Sequence, residues 1–232
     1  MTLLAPLLIA TLVGFVMYQF SAWGLARRLD ATSKPLTDPL IRQFVDRMAR
    51  ELDLPRLEVF VQDTPVINGL AAPDGRIFLT RGFIERYRAG EVRAEELASV
   101  IAHELGHVAL GHSRRRMVVY SGQNALRMVL MIVIGRFVPF VGPWIAQALM
   151  TALSARLSRN DEYEADAYAA ALMTKIGLGI GPQRSLFRKL ERLTGSAGAA
   201  TPAWMMSHPH PEQRIEAIER LARGWNERPA LR

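Results

Sequence analysis

Residues 94–112 read AEELASVIAHELGHVALGH, and the rest of the chain is interpreted outward from this stretch. Leu97, Val100, Ile101, Leu105 and Val108 recur at helical spacing, which predicts a helix from Ala94 to His112. Inside it stand His103, Glu104 and His107. Residues four apart on a helix turn through about 400° and lie about 6 Å apart along the axis, so both imidazoles project from one face and can grip one ion. Glu104 lies beside the pair and is not needed as a ligand, which leaves its carboxylate free to take a proton from water activated by that ion. A purely structural metal site has no use for such a group. The chain contains no cysteine, so thiolate ligands, disulfides and a cysteine nucleophile are excluded, and any metal must be held by His and carboxylate.

A zinc ion in such a site needs a third protein ligand. His112 is nine residues beyond His103, which on a continuing helix puts it on the opposite face; it can join the site only if the helix breaks. The metzincin spacing, which does break the helix, needs Gly three and His six residues after the second His; here Gly111 and His112 come four and five after His107. His112 is therefore read as a helix-terminal polar cap or dipole partner. The other candidate is Asn160-Asp161-Glu162-Tyr163-Glu164-Ala165-Asp166, taken as the opening of a helix reaching about Ile176. Glu162 and Asp166, at i and i+4, share a face, one able to ligate the metal and the other to orient an imidazole N–H. A solvated acidic helix start is the alternative reading of the same run.

Around these helices the pattern is α+β and mostly helical. Asp38 and Pro39 give a cap and first turn to an amphipathic helix carrying Ile41, Phe44, Val45, Met48 and Leu52. Leu57–Val61 and Arg76–Thr80 are short β-rich runs separated by Asn68-Gly69 and Pro73-Asp74-Gly75 turn signals, which predicts a small antiparallel sheet. The five histidines fall in two clusters, His103, His107 and His112, then His208 and His210. His210, flanked by Pro209 and Pro211, is read as a solvent-facing turn before a helix from Glu212 to Arg223.

The ordered set His103-Glu104-Leu105-Gly106-His107, then Glu162-Tyr163-Glu164-Ala165-Asp166, then Ser207-His208-Pro209 with Arg214 resembles the membrane zinc metallopeptidases typified by HtpX and the type I CAAX prenyl endopeptidases, gluzincin-like enzymes with an HExxH, an ExxxD and a late His-Pro element. The resemblance runs from about Leu36 to Arg223. It implies one zinc ion per chain held by His103, His107 and Glu162, with Glu104 as general base. Asp166 would hold a ligand histidine, and His208, and Arg214 with it, would face the substrate or the developing oxyanion, Arg214 from a supporting position around the metal. Asn68-Gly69-Leu70-Ala71 is similar to that family's edge strand, which implies a strand that pairs with substrate. Gly69 and Leu70 depart from the family's usual Ala and Phe.

The flanks concern the membrane. The first charged side chain in the chain is Arg27, and Leu3–Trp23 forms an uncharged, mostly apolar stretch about 31 Å long as a helix, the thickness of a bilayer core. A cleaved signal peptide is the competing reading, but the segment lacks a basic start and a small-x-small cleavage site. Tyr18, Trp23, Arg27 and Arg28 then read as an interfacial belt followed by positive charge, which predicts the N-terminus outside and the bulk in the cytoplasm. The expected organisation is a membrane anchor over 1–26 and a metallopeptidase domain over 27–232. That domain includes the apolar insertion Met117–Ala155, whose only charged residues are Arg127 and Arg136. The insertion could span, lie in the interface or pack as core; contact with the lipid bilayer is the reading adopted. Arg114, Arg115, Arg116, Arg156 and Arg159 flank it, and an anionic lipid surface accounts for the net charge of +7. No basic stripe with stacking aromatics marks a nucleic-acid partner.

The function expected from the sequence is a membrane-anchored zinc endopeptidase at a cell inner membrane, facing the cytoplasm. It would act on peptide or protein substrates such as misfolded membrane proteins. A narrow processing peptidase and a catalytically silent, zinc-stapled membrane scaffold are the alternatives, and the intact Glu104 speaks against the second. The sequence assigns no oligomeric state.

Overall fold

The computed structural model describes residues 19–20, 22–112, 115, 142–195 and 211–226. Most of Leu3–Trp23, residues 117–141 of the second apolar run, and Ser207-His208-Pro209 with His210 lie outside the described residues. Among the described residues no helix is long and apolar enough to cross a membrane.

Residues 22–32 are helical and lead into β1 (Ser33–Pro35) and α1 (Pro39–Glu51). Asp38 caps α1, its carboxylate accepting from the backbone N–H groups of Leu40 and Ile41 at 3.1 Å, and Pro39 supplies a first-turn residue that has no N–H to satisfy. Ile41, Phe44, Val45 and Met48 bury one face. Next come β2 (Val59–Gln62), β3 (Gly69–Ala71), β4 (Ile77–Thr80), α2 (Arg81–Arg88), α3 (Ala94–Ala109), α4 (Gly142–Lys175), α5 (Gly181–Gly195) and α6 (Pro211–Asn226).

The sheet corrects the expected all-antiparallel arrangement. Strand order is β1-β2-β4-β3; β1 with β2 and β3 with β4 are antiparallel, but β2 and β4, the two runs read from the sequence, are parallel. The reason lies in residues 63–76. Asn68-Gly69 does not turn the chain; Gly69 opens a strand of its own, which hairpins through Pro73-Asp74-Gly75 onto the far edge of β4. That leaves β4 central and β3 at the edge. Phe60, Phe78 and Leu70 are cross-strand neighbours on one face, packed with Leu29 of the 22–32 helix, and Phe60 and Phe78 stack at 5.3 Å between centroids. The opposite face, with Val59, Ile77 and Leu79, joins the main core around α1 and α3. Strand β4 is thus covered on both sides and all four of its residues are buried.

Two further boundaries differ from expectation. The acidic run does not open a helix: α4 already begins at Gly142, no proline or glycine interrupts it after Pro143, and the run sits inside it with Asp161, Glu162 and Asp166 buried. The solvated-face reading therefore fails at those three positions. In turn, α3 stops at Ala109 instead of His112, because Gly111 takes φ +70°, a backbone conformation that glycine adopts without steric cost.

Helix α3 is buried almost all round, which requires its polar groups to be matched. Near its start the fully buried Glu96 carboxylate accepts from the Arg93 backbone N–H (2.8 Å), Ser185 Oγ (2.6 Å) and Lys189 Nζ (2.8 Å). Burial alone would raise its pKa, but these donors from α5 and the helix start hold it below the usual carboxylate range. The clamp ties α5 to α3. Further along, α3 and α4 meet at Gly106, where a Cβ would stand 3.0 Å from the Ala165 Cα and 3.1 Å from its carbonyl oxygen. Only a residue without a side chain permits that approach, and it sets the α4 residues either side of Ala165 against the α3 histidines.

Candidate metal centre

Three side chains that could hold a metal ion converge where α3 meets α4. His103 Nε2 and His107 Nε2 are 3.2 Å apart, and the Glu162 carboxylate faces both, Oε2 lying 3.3 Å from the first and Oε1 3.4 Å from the second. All three residues are buried. Tetrahedral zinc with bonds of 2.0–2.1 Å separates its ligand atoms by about 3.3–3.4 Å, and the closest approaches among these three groups are of that size. The ion fits, and the chemistry of the donors agrees: two imidazole nitrogens and a carboxylate oxygen suit a borderline-soft divalent metal.

The far side of each imidazole decides whether its Nε2 is bare. His103 Nδ1 lies 2.9 Å from Asp166 Oδ1, and a carboxylate only accepts, so when the ring is neutral its proton belongs on Nδ1 and the lone pair of Nε2 faces the triangle. Asp166 is held in turn by Arg214, whose Nε and Nη2 each donate at 2.6 Å, and by Gln183 Nε2 at 3.2 Å. Burial pushes the Asp166 carboxyl up, but the Arg214 charge and hydrogen bonds outweigh it and bring it to about 2. Arg214 is itself fully buried, its guanidinium 4.4 Å above the Phe187 ring. Its described contacts run to Asp166, His103 and Glu162. With no ion present, burial lowers the pKa of His103, but the hydrogen bonds to Asp166 and Glu162 prevail and raise it to about 9.

His112 is the main difference from the sequence reading. The turn at Gly111 swings it back, so that it caps no helix and faces no solvent; it is buried with Nδ1 3.0 Å from His107 Nδ1 and Nε2 3.0 Å from Glu164 Oε2. It stands behind His107, outside the ligand triangle. Sequence spacing could not find this, because one positive φ redirects the chain. Glu164 was likewise missed, since it lies two residues from Glu162 and so on another side of α4. Gln183 and Phe187 carried no signal at all.

Glu104 is buried on the side of α3 that faces the sheet edge. A Cβ at Gly69 would lie 2.8 Å from Glu104 Oε1 and 3.0 Å from Val100 Cγ1, so β3 passes directly over this carboxylate, and any larger residue at that position would displace it. Asn68 is fixed by Thr80, its backbone N–H donating to Thr80 Oγ1 and its carbonyl accepting from the Thr80 hydroxyl, both at 3.0 Å. Leu70 turns to the opposite face and Ala71 is buried. The structure thus brings His103, His107, Glu162, Asp166, Arg214, Glu104 and Gly69 into one cluster. His208 lies outside the described residues.

The chain is similar to several known proteases. Protease HtpX of Pseudomonas putida (strain W619) is 26% identical over 223 residues, covering 81% of this chain and 74% of that protein. Metalloprotease LoiP of Escherichia coli (strain K12) is 30% identical over 152 residues, 66% of this chain and 57% of that protein. The human mitochondrial metalloendopeptidase OMA1 is 26% identical over 170 residues, 70% of this chain; the chain spans about a third, 32%, of the length of OMA1. The sequence model of peptidase family M48 matches residues 35–222, which takes in α3, α4, the β3–β4 hairpin and Arg214, and by that match the chain belongs to peptidase family M48.

Proposed function

We propose that the protein is a zinc-dependent endopeptidase acting at a membrane, where it clears misfolded membrane proteins. The observation that supports this reading is the ligand triangle of His103, His107 and Glu162 with Glu104 buried between it and the edge strand. His103, His107 and Glu162 would hold the ion, which when bound supplies Lewis acidity to a peptide carbonyl and a lowered pKa to a water. Glu104 takes a proton from the attacking water and returns it to the leaving amine. Asp166, gripped by Arg214 and Gln183, keeps the His103 ring oriented. His208 supplies a donor toward the oxyanion. Strand β3, from Asn68 through Ala71, pairs with an extended peptide by main-chain hydrogen bonds, which read little side-chain sequence and so favour broad specificity.

Residues 1–26 serve as anchor and 27–232 as the peptidase domain, with 117–155 against lipid and the site on the cytoplasmic side of an inner membrane. Arg27 and Arg28 after the apolar stretch, and the Arg114–Arg116 cluster, support that side. The test combines metal analysis of purified protein with casein cleavage in the presence and absence of chelator. Stoichiometric zinc with chelator-sensitive cleavage is expected; bound zinc without cleavage would favour the scaffold reading. A reporter that matures only in the cytoplasm, fused at Arg232, tests the orientation and should be active.

A further inference from the structure

We propose that His112 is a positioning residue for the metal centre, fixing the tautomer of His107 through a hydrogen-bond chain that starts at Glu164. This rests on the reading of His103, His107 and Glu162 as zinc ligands. Glu164 Oε2 lies 3.0 Å from His112 Nε2, and His112 Nδ1 lies 3.0 Å from His107 Nδ1. A carboxylate only accepts, so the Nε2 of His112 carries a proton. Two ring nitrogens 3.0 Å apart share one proton between them. If it sat on His112, the ring of His107 would carry its own proton on Nε2, pointing into the ligand triangle, and could not bind a cation. A metal-binding His107 therefore carries the proton on Nδ1 and donates it to the bare Nδ1 of His112. The chain runs from Glu164 Oε2, accepting from His112 Nε2–H, to His112 Nδ1, accepting from His107 Nδ1–H, and leaves His107 Nε2 as a lone pair toward the ion.

The two ligand histidines thus differ in support. His103 is backed by an anion, the buried Asp166 clamped by Arg214. His107 is backed by an imidazole, and the charge that orients this imidazole is set back at the surface, where the Glu164 side chain is 56% exposed. The arrangement depends on Gly111: its φ of +70° ends α3 early and turns His112 inward to full burial. Partners behind a metal-bound histidine typically change metal affinity about 10- to 100-fold when removed.

The decisive experiment measures zinc affinity by competition with a chromophoric chelator, together with ¹⁵N–¹H correlation of the histidine rings in the zinc-loaded full-length protein. His112→Leu keeps a buried apolar side chain but removes the acceptor, and should weaken zinc about 10- to 100-fold. His112→Asn places an amide oxygen near the Nδ1 position and should recover most of that loss. In the wild type, the spectrum should show His107 protonated at Nδ1 and His112 at Nε2. Unchanged affinity in His112→Leu, or equal losses in both variants, would overturn the proposal. So would a wild-type spectrum with the proton on His112 Nδ1, a result that requires no variant to fold. Failure of the wild type to bind zinc would instead refute the functional reading on which the proposal rests.

Discussion

At the scale of single residues, the proposed mechanism gives each group around the triangle a separable task, and substitutions should separate them. Glu104→Gln keeps the volume and removes the base, so hydrolysis should fall about 10²- to 10⁴-fold with zinc content unchanged; near wild-type turnover in a cleavage assay would contradict the mechanism. Glu162→Ala removes the proposed anionic ligand and should lower zinc occupancy after dialysis far more than His112→Ala, whose ring stands behind His107. Arg214→Met leaves the fully buried Asp166 without its two strongest donors, and breaking such a pair from one side costs roughly 3–5 kcal/mol. Urea unfolding of the metal-free variant should read that loss, and an unchanged midpoint would mean the pair contributes nothing net.

Between elements, the separation of α3 and α4 sets the proposed metal site, because the histidines stand on one helix and Glu162 on the other. Gly106 controls it. Alanine there improves the intrinsic helix propensity of α3 by about 1 kcal/mol, but its Cβ meets backbone atoms of α4 at 3.0 Å and 3.1 Å, so the helices must part by a few tenths of an ångström. Zinc affinity should drop in Gly106→Ala and further in Gly106→Val, and chelator competition checks the order. Equal affinity across the series would show that the helices adjust without moving the ligands. Gly69→Val is expected to act on the other side of α3, driving into Glu104 and Val100, so it should impair cleavage while sparing metal.

For the molecule as a whole, the buried cluster links stability to pH. In the metal-free protein the pKa of His103 stands at about 9, above its ordinary 6.5. A group raised on folding stabilises fully below its unfolded pKa, and that contribution disappears as pH climbs through the folded value. The urea midpoint of chelator-treated protein should therefore fall between about pH 6.5 and 9. With zinc loaded, the same ring would be held neutral and the decline attributable to His103 should vanish, while zinc affinity rises over that interval because binding displaces the Nε2 proton. Asp166 acts at the other end: lowered from 3.8 to about 2, it stabilises above about pH 4 and its contribution is lost as pH falls toward 2. A flat midpoint from pH 6.5 to 9 in the metal-free protein would mean that His103 does not carry this charge.

The sequence by itself determined the amphipathic helix after Asp38, the helix carrying His103, Glu104 and His107, and the shared helix face of Glu162 and Asp166. These follow from local rules of capping and of period 3.6, which need no knowledge of distant chain. It also singled out Gly69 as a departure, though not the carboxylate lying beneath it. The parallel pairing of β2 with β4, the early stop of α3, the inward swing of His112 and the burial of Arg214 were decided only by tertiary structure. Strand direction depends on where the intervening segment finds an edge, and one positive φ at Gly111 overrides helical spacing. A buried guanidinium is stable only where a carboxylate from another helix meets it, and that carboxylate, Asp166, is 48 residues away in the chain.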